Sequence, residues 1–139
     1  MKRYYYNNWI AKTILMFSSC HTIAITWFVL SKRNEDSTNQ IERNHETIHA
    51  IQWTEVTMSS AMILFAIIVL FDLSIWWIVL SPFVYYLWYV LEWIFKLPYG
   101  NPYRSISFEQ EAYNNDENMN YCENRHLFCG WFKKILSVI

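Results

Sequence analysis

Glycine occurs only twice in this chain of 139 residues. A loop that wraps phosphate in backbone amides needs several glycines close together, so nucleotide binding of that kind is excluded. Charge is also sparse: 11 Lys and Arg against 12 Asp and Glu leave a net charge of −1, and nothing points to nucleic acid as a partner. Cysteine is limited to Cys20, Cys122 and Cys129, an odd number without zinc-finger spacing. These do not form a disulfide framework and read as buried or idle thiols. Internal repeats and low-complexity tracts are missing too.

What the chain has in excess is apolar and aromatic surface. It is 54% hydrophobic and 19% aromatic, with 8 Trp, 10 Tyr and 9 Phe. That is too rich for an ordinary soluble domain and implies contact with membrane lipid. The length suits one domain over residues 1–139.

Against this background, His45-Glu46-Thr47-Ile48-His49 is the chemically pointed stretch. Residues four apart share one helix face, so His45 and His49 can bind a single Zn²⁺ through their rings. Glu46, beside the first ligand, is placed to act as the catalytic base. The helix is expected over 41–56, capped by Ser37, Thr38 or Asn39. Gln52 shares the face of His45 and is a candidate for supporting a ligand by hydrogen bond.

Upstream, residues 12–30 are apolar but interrupted by Ser18, Ser19, Cys20 and His21. Two β-strands joined by a polar turn suit their β-branched residues better than a first membrane helix, which remains the alternative. A strand there could pair with an extended peptide. Phe17-Ser18-Ser19-Cys20 is a weak match to a lipoprotein cleavage box, with Lys12 just before the apolar run and Phe17 at the aliphatic position.

Downstream, 57–97 is almost wholly apolar and long enough for two crossings of a ~30 Å hydrocarbon layer. Ser81-Pro82 is the expected turn between them. Asp72 should face the other helix, a polar cavity or a break. Glu92 and Lys96 form an i, i+4 pair. All 11 Lys and Arg lie outside 57–95, which places both flanks of the hairpin, and the zinc, on the cytoplasmic side of the cell (inner) membrane.

Residues 105–139 are read as a helix starting near Ser105 or Ser107, followed by an amphipathic tail from Leu127. A catalytic zinc needs a third protein ligand. Glu109 and Glu111 are two apart on the expected helix, so only one can face the metal. Glu109 is preferred, because Ala112 on its face permits close helix approach and Tyr113 could support the site by hydrogen bond; Glu111 is the alternative. For the donor that stabilises a reaction oxyanion, the candidates are Arg104, Tyr113, Tyr121 and His126.

His45-Glu46-x-x-His49 followed by Glu109-x-x-Ala112 resembles the gluzincin pattern, His-Glu-x-x-His then Glu-x-x-Ala-Asp, of membrane-linked peptidases of the prenyl-protein endopeptidase and HtpX type. The resemblance implies Glu109 as third ligand and a membrane helical pair between the two motifs. Tyr113 stands where the pattern has Asp, the residue that contacts a ligand histidine in that family. Over most of its length the chain is also similar to small uncharacterised His-Glu-x-x-His membrane proteins of Bacteroidetes-type bacteria. The landmarks are Gln52 and Glu55 after the motif, the aromatics around Tyr86 and Trp88 before Glu92, and the run from Tyr103 to Tyr113.

The expected fold is therefore mainly α with a small N-terminal β-hairpin (α+β), a minimal zincin-like core carrying a two-helix membrane hairpin. The implied activity is zinc-dependent hydrolysis of a peptide or protein substrate. The alternative is a membrane protein that keeps the metal and the fold and acts by binding alone.

Overall fold

The computed structural model describes residues 4–16, 21–26, 28–98, 100–128 and 130–132. The chain is mainly helical with one three-stranded sheet, an α+β arrangement. In order come β1 (Tyr4–Tyr5), α1 (Trp9–Ile14), β2 (Thr22–Ile25), β3 (Phe28–Ser31), α2 (Gln40–Leu70), a 3₁₀ stretch (Ile75–Phe83), α3 (Val84–Lys96), α4 (Pro102–Ser105), α5 (Ser107–Asn115) and α6 (Tyr121–Asn124).

The N-terminal hairpin exists but is shorter and later than the sequence suggests. Both strands come from the second half of the 12–30 stretch, β2 pairing antiparallel with β3 from Thr22–Ser31 to Ile25–Phe28. Thr26, at φ 59, turns the chain between them. Lys12, Thr13 and Ile14 are helical instead, in a helix whose first turn is capped by Asn8 accepting from the Ile10 amide. That cap, and the buried Ala11 and Leu15, outweigh the β preference of Thr13 and Ile14. Ser18, Ser19 and Cys20, with the cleavage-box reading that ends on Cys20, lie outside the described residues. β1 joins the far side of β3 in parallel, so the order is β1-β3-β2 and β2 is an edge strand.

Helix α2 runs unbroken for 31 residues, from its cap at Asn39, which accepts from the Ile41 amide, to Leu70. It packs against β2, α5, α6 and the 3₁₀ stretch. Gln40–Leu70 and Ile75–Lys96 are both long and apolar enough to cross a membrane. They bury little of that apolar surface against each other: Leu70 is 77% exposed and Trp76 78%. Exposed large side chains continue along α3 through Leu87, Val90, Leu91 and Ile94.

The turn of this hairpin is at Phe71–Ser74, not at Ser81-Pro82. Asp72 adopts φ 51, a left-handed conformation that Asp tolerates better than most side chains, and it puts its carboxylate at the break in the helix pair. Pro82 lies inside the second segment, where the 3₁₀ stretch gives way to α3. Nearby carbonyls find side-chain donors on α2: Ser60 Oγ bonds Ser81 O at 3.1 Å and Trp53 Nε1 bonds Pro82 O at 3.2 Å. The irregular backbone is thus satisfied from within, as an apolar environment requires.

Beside the hairpin lies a compact core of Trp53, Val56, Tyr85, Ile106, Phe108 and Trp131. Trp131 belongs to the expected amphipathic tail; it is buried against Phe108, with ring centroids 5.0 Å apart. Residues 133–139 of that tail lie outside the described residues. Neither Ser105 nor Ser107 caps α5 by its side chain. Glu92, on α3, does so: its Oε2 accepts from the Ser107 amide at 2.7 Å and from Ser107 Oγ at 2.9 Å while paired with Lys96 at 3.0 Å. A carboxylate at a helix N-terminus is favourable, and this one fastens α5 to the second membrane-length segment.

Candidate metal centre

Three donors meet where α2 and α5 cross. His45 and His49, one turn apart on α2, bring their Nε2 atoms to 3.1 Å. Glu109, on α5, places Oε2 3.5 Å from His45 Nε2 and Oε1 3.4 Å from His49 Nε2. Tetrahedral zinc with bonds of about 2.0–2.2 Å holds its ligand atoms roughly 3.3 Å apart. The three separations lie near that value, the two to Glu109 ending on different oxygens of its carboxylate.

The partners of each ring fix where its proton sits. Gln52 Nε2 donates to Phe108 O at 3.0 Å and to Glu111 Oε2 at 2.9 Å, which turns Gln52 Oε1 toward His49. His49 Nδ1 lies 2.9 Å from that oxygen and therefore donates to it. His45 Nδ1 lies 3.3 Å from Asp116 Oδ2 and donates to the carboxylate in the same way. With both Nδ1 atoms protonated, both Nε2 atoms carry lone pairs. The triangle thus consists of two lone pairs and a carboxylate facing one another. Glu109 Oε2 is buried and has no hydrogen-bond partner. Such a group could hold a metal ion, and the chemistry of the donor set fits zinc.

Glu109 is suited to be that ligand. Tyr89 donates to its Oε1 at 2.7 Å and steadies it. Glu111 is committed elsewhere. It accepts from Tyr121 at 2.9 Å and pairs with Arg125. Arg125 in turn chelates Glu55, with one bond at 2.9 Å and a shorter one through Nη1. Glu55 also accepts from the Phe128 amide and Trp131 Nε1, each at 3.1 Å. Burial would lower the Arg125 guanidinium, but its bonds to Glu55 and Glu111 push it higher still. A buried ionic knot of three side chains thus stands behind Gln52, and Gln52 stands behind His49.

Glu46 is not in the triangle. It borders both cavities, with its Oε1 3.3 Å from Thr22 Oγ1, whose nearer acceptor is Glu42 Oε1 at 2.8 Å. Tyr113 touches His45 through its ring, with centroids 4.7 Å apart, and carries the Arg104 guanidinium 4.8 Å above it. The carboxylate beside His45 comes instead from Asp116, one turn further along. Glu109 and Asp116 are seven apart, two helical turns, so a helical wheel extended past Tyr113 could have found it. Asn44 holds Asp116 there, its amide donating to the carbonyls of Asn115, Asp116 and Asn118 at 2.9–3.1 Å.

Of the four proposed oxyanion donors, Tyr121 is turned to Glu111 and Arg125, and His126 is exposed and lines neither cavity. Arg104 lies over Tyr113. Tyr113 borders the second cavity, and Tyr103, which the sequence does not single out, borders both beside the triangle. Burial, then the charge of Glu109 and a hydrogen bond to it, raises its hydroxyl. Its place in a short helix between two loops leaves no periodic signal in the sequence.

No family model matches the chain, and neither a curated protein nor a solved structure matches it.

Proposed function

We propose that this chain is a membrane-anchored, zinc-dependent peptidase whose metal is held by His45 Nε2, His49 Nε2 and Glu109. The observation that carries this reading is the triangle of mutually facing lone pairs at 3.1–3.5 Å, with both rings oriented from behind by hydrogen bonds. When bound, zinc supplies Lewis acidity toward a carbonyl and toward water.

The remaining roles fall to the chain's own groups. Glu46 takes a proton from the attacking water and returns it to the leaving amine. The free edge of β2 offers backbone amides and carbonyls to an extended peptide, aligning it across the opening. The Tyr103 hydroxyl, kept protonated, donates to the oxygen on which charge develops. Membrane lipid surrounds the apolar hairpin, and the Lys- and Arg-bearing flanks put the site on the cytoplasmic face of the inner membrane.

The test pairs metal content with turnover. Purified wild type should carry one zinc per chain and His45→Ala should lose it. Glu46→Gln should keep zinc and lose hydrolysis by about 10²–10⁴-fold. Loss of metal from Glu46→Gln would move Glu46 into the coordination sphere. Zinc without turnover of any peptide in wild type would favour the binding-only reading.

A further inference from the structure

Positive charge is unevenly placed along this chain. Residues 1–34 contain five Lys and Arg and no Asp or Glu, while all 12 acidic residues lie from Glu35 onward. The same N-terminal unit leaves large apolar side chains in the open. On α1, Ala11 and Leu15 are buried, but Ile14 is 52% exposed, and Met16, just past the end of the helix, is 64% exposed. At the start of β3, Phe28 is exposed too, with the Tyr5 ring edge-on to it and centroids 5.6 Å apart. Apolar side chains interspersed with basic ones, and no acids among them, suit the surface of an anionic bilayer.

Strand β2 sets the height of this unit. It runs along α2 toward the hairpin. Thr22, at its start, donates to Glu42 on α2 at 2.8 Å, and the Thr26 amide, past its end, donates to the Tyr86 hydroxyl on α3 at 3.3 Å. The β2–β3 turn is therefore the end of the sheet nearest the membrane-length pair. Helix α1 starts beside the opposite end of β3, where the Asn8 amide donates to Ser31 O at 2.9 Å, and runs back toward the turn. Its end reaches the same level, because Leu15 borders one cavity together with Trp53 of α2 and Tyr86. Phe83, Leu87 and Val90 flank Tyr86 on α3 and are exposed, so the apolar surface of the hairpin extends to the turn.

Depth follows from helix geometry. From Leu70 back to Trp53 is about 26 Å at 1.5 Å per residue. An upright hairpin whose tip reaches the far edge of a ~30 Å hydrocarbon layer holds Trp53 and Tyr86 at its near edge. Ile14, Met16 and Phe28 then stand where headgroups meet acyl chains. Lys12, exposed and one turn up the helix from Met16, stands at the height of the phosphates.

We propose that the β2–β3 turn and the end of α1 form a second membrane contact, seated in a headgroup layer of anionic phospholipid beside the hairpin. Ile14, Met16 and Phe28 enter the boundary layer and Lys12 pairs with phosphate. This contact rests on the membrane placement of the hairpin and is independent of peptidase activity.

The test places the full-length protein, with its three cysteines replaced by serine, in nanodiscs. The polarity-sensitive dye NBD is attached singly at Ile14→Cys, Phe28→Cys, Met62→Cys or Glu35→Cys. Discs of phosphatidylcholine alone are compared with discs that also contain phosphatidylglycerol, each with lipids spin-labelled high or low on the acyl chain. The dye on the hairpin, at Met62→Cys, should be quenched by the low label. At Ile14→Cys and Phe28→Cys it should be quenched by the high label, about two-fold or more strongly with phosphatidylglycerol present. Lys12→Glu should remove that increase, and Glu35→Cys should be quenched by neither label. If either Ile14→Cys or Phe28→Cys escapes quenching while Met62→Cys does not, the proposal is overturned and the hairpin stays in the bilayer. Blue-shifted emission at those two positions without quenching by lipid would overturn it in favour of a protein partner or a second copy of the chain. Equal quenching with and without phosphatidylglycerol would overturn the anionic contact. An unquenched Met62→Cys would remove the membrane placement, and the proposal with it.

Discussion

Asp116 Oδ2 lies 3.3 Å from His45 Nδ1, so the carboxylate that orients this histidine comes from seven residues past Glu109 rather than four. A ligand histidine without such a partner loses both its fixed tautomer and part of its basicity. Asp116→Ala should lower zinc affinity by about 10–100-fold, measured by chelator competition. Asp116→Asn, which keeps an acceptor oxygen, should lose less. An affinity equal to wild type in Asp116→Ala would show that the contact does not support the metal.

Glu109 and Glu111 should separate cleanly. Glu109→Ala removes a donor from the triangle, and zinc content should fall to background while the fold is kept. Glu111→Ala leaves the donors in place but strips Arg125 of one of its two carboxylates. Breaking a buried ion pair from one side costs about 3–5 kcal/mol, so the midpoint of thermal unfolding should drop sharply. Loss of zinc from a folded, equally stable Glu111→Ala would contradict this division.

Gly130 is required by the same knot. A Cβ at that position would overlap the Glu111 carboxyl group. Since Glu111 is pinned by Gln52, Tyr121 and Arg125, it cannot move aside without breaking those bonds. Gly130→Ala should destabilise the protein by roughly 1–3 kcal/mol, the range for forced overpacking. A denaturation midpoint unchanged by the substitution would mean that Glu111 has room to relax.

Topology can be read from the corrected turn. In intact cells, with native cysteines replaced, Leu73→Cys should react with an impermeant reagent and Asn114→Cys should react only after lysis. The reverse pattern would invert the orientation. A chain found in the cytosolic fraction would remove the membrane hairpin altogether. Ser81 is a poor reporter, because it is buried in the 3₁₀ stretch where that packs on α2.

The readable parts of this chain are those written locally. His45 and His49 are a helical turn apart, and Gln52 is on the same face, so a period of 3.6 places all three without knowledge of the fold. Glu109 can be preferred over Glu111 because a helix separates residues two apart. Arg125 cannot be read: its partners Glu55 and Glu111 are 70 and 14 residues away in sequence. The sequence misplaces the hairpin turn because Pro82 is the stronger turn signal in isolation, while Asp72 breaks the helix through one polar side chain. The strand expected at Lys12–Phe17 fails at Lys12–Ile14, because the Asn8 cap and burial of Ala11 and Leu15 outweigh β-branched composition. Glu92 is legible as half of an i, i+4 pair but not as the cap of α5, a contact that exists only once α3 and α5 are side by side.

Helix α2 carries no Pro or Gly between His45 and Leu70, and Thr54, Ser59 and Ser60 return hydrogen bonds to carbonyls four residues back. The two imidazoles and the tip of the hairpin are therefore opposite ends of one stiff rod. At 1.5 Å per residue, His49 stands about 31 Å along that rod from Leu70. A change of tilt at the far end becomes a sideways swing at the near end, while α5, tied to α3 through Glu92, answers to the other arm of the hairpin. Scissoring of the two arms would pull the histidines and Glu109 apart. In the proposed reading, with the arms in lipid and zinc in the triangle, the triangle is a gauge of how the pair of arms is held, and bilayer thickness would reach it as a mechanical input.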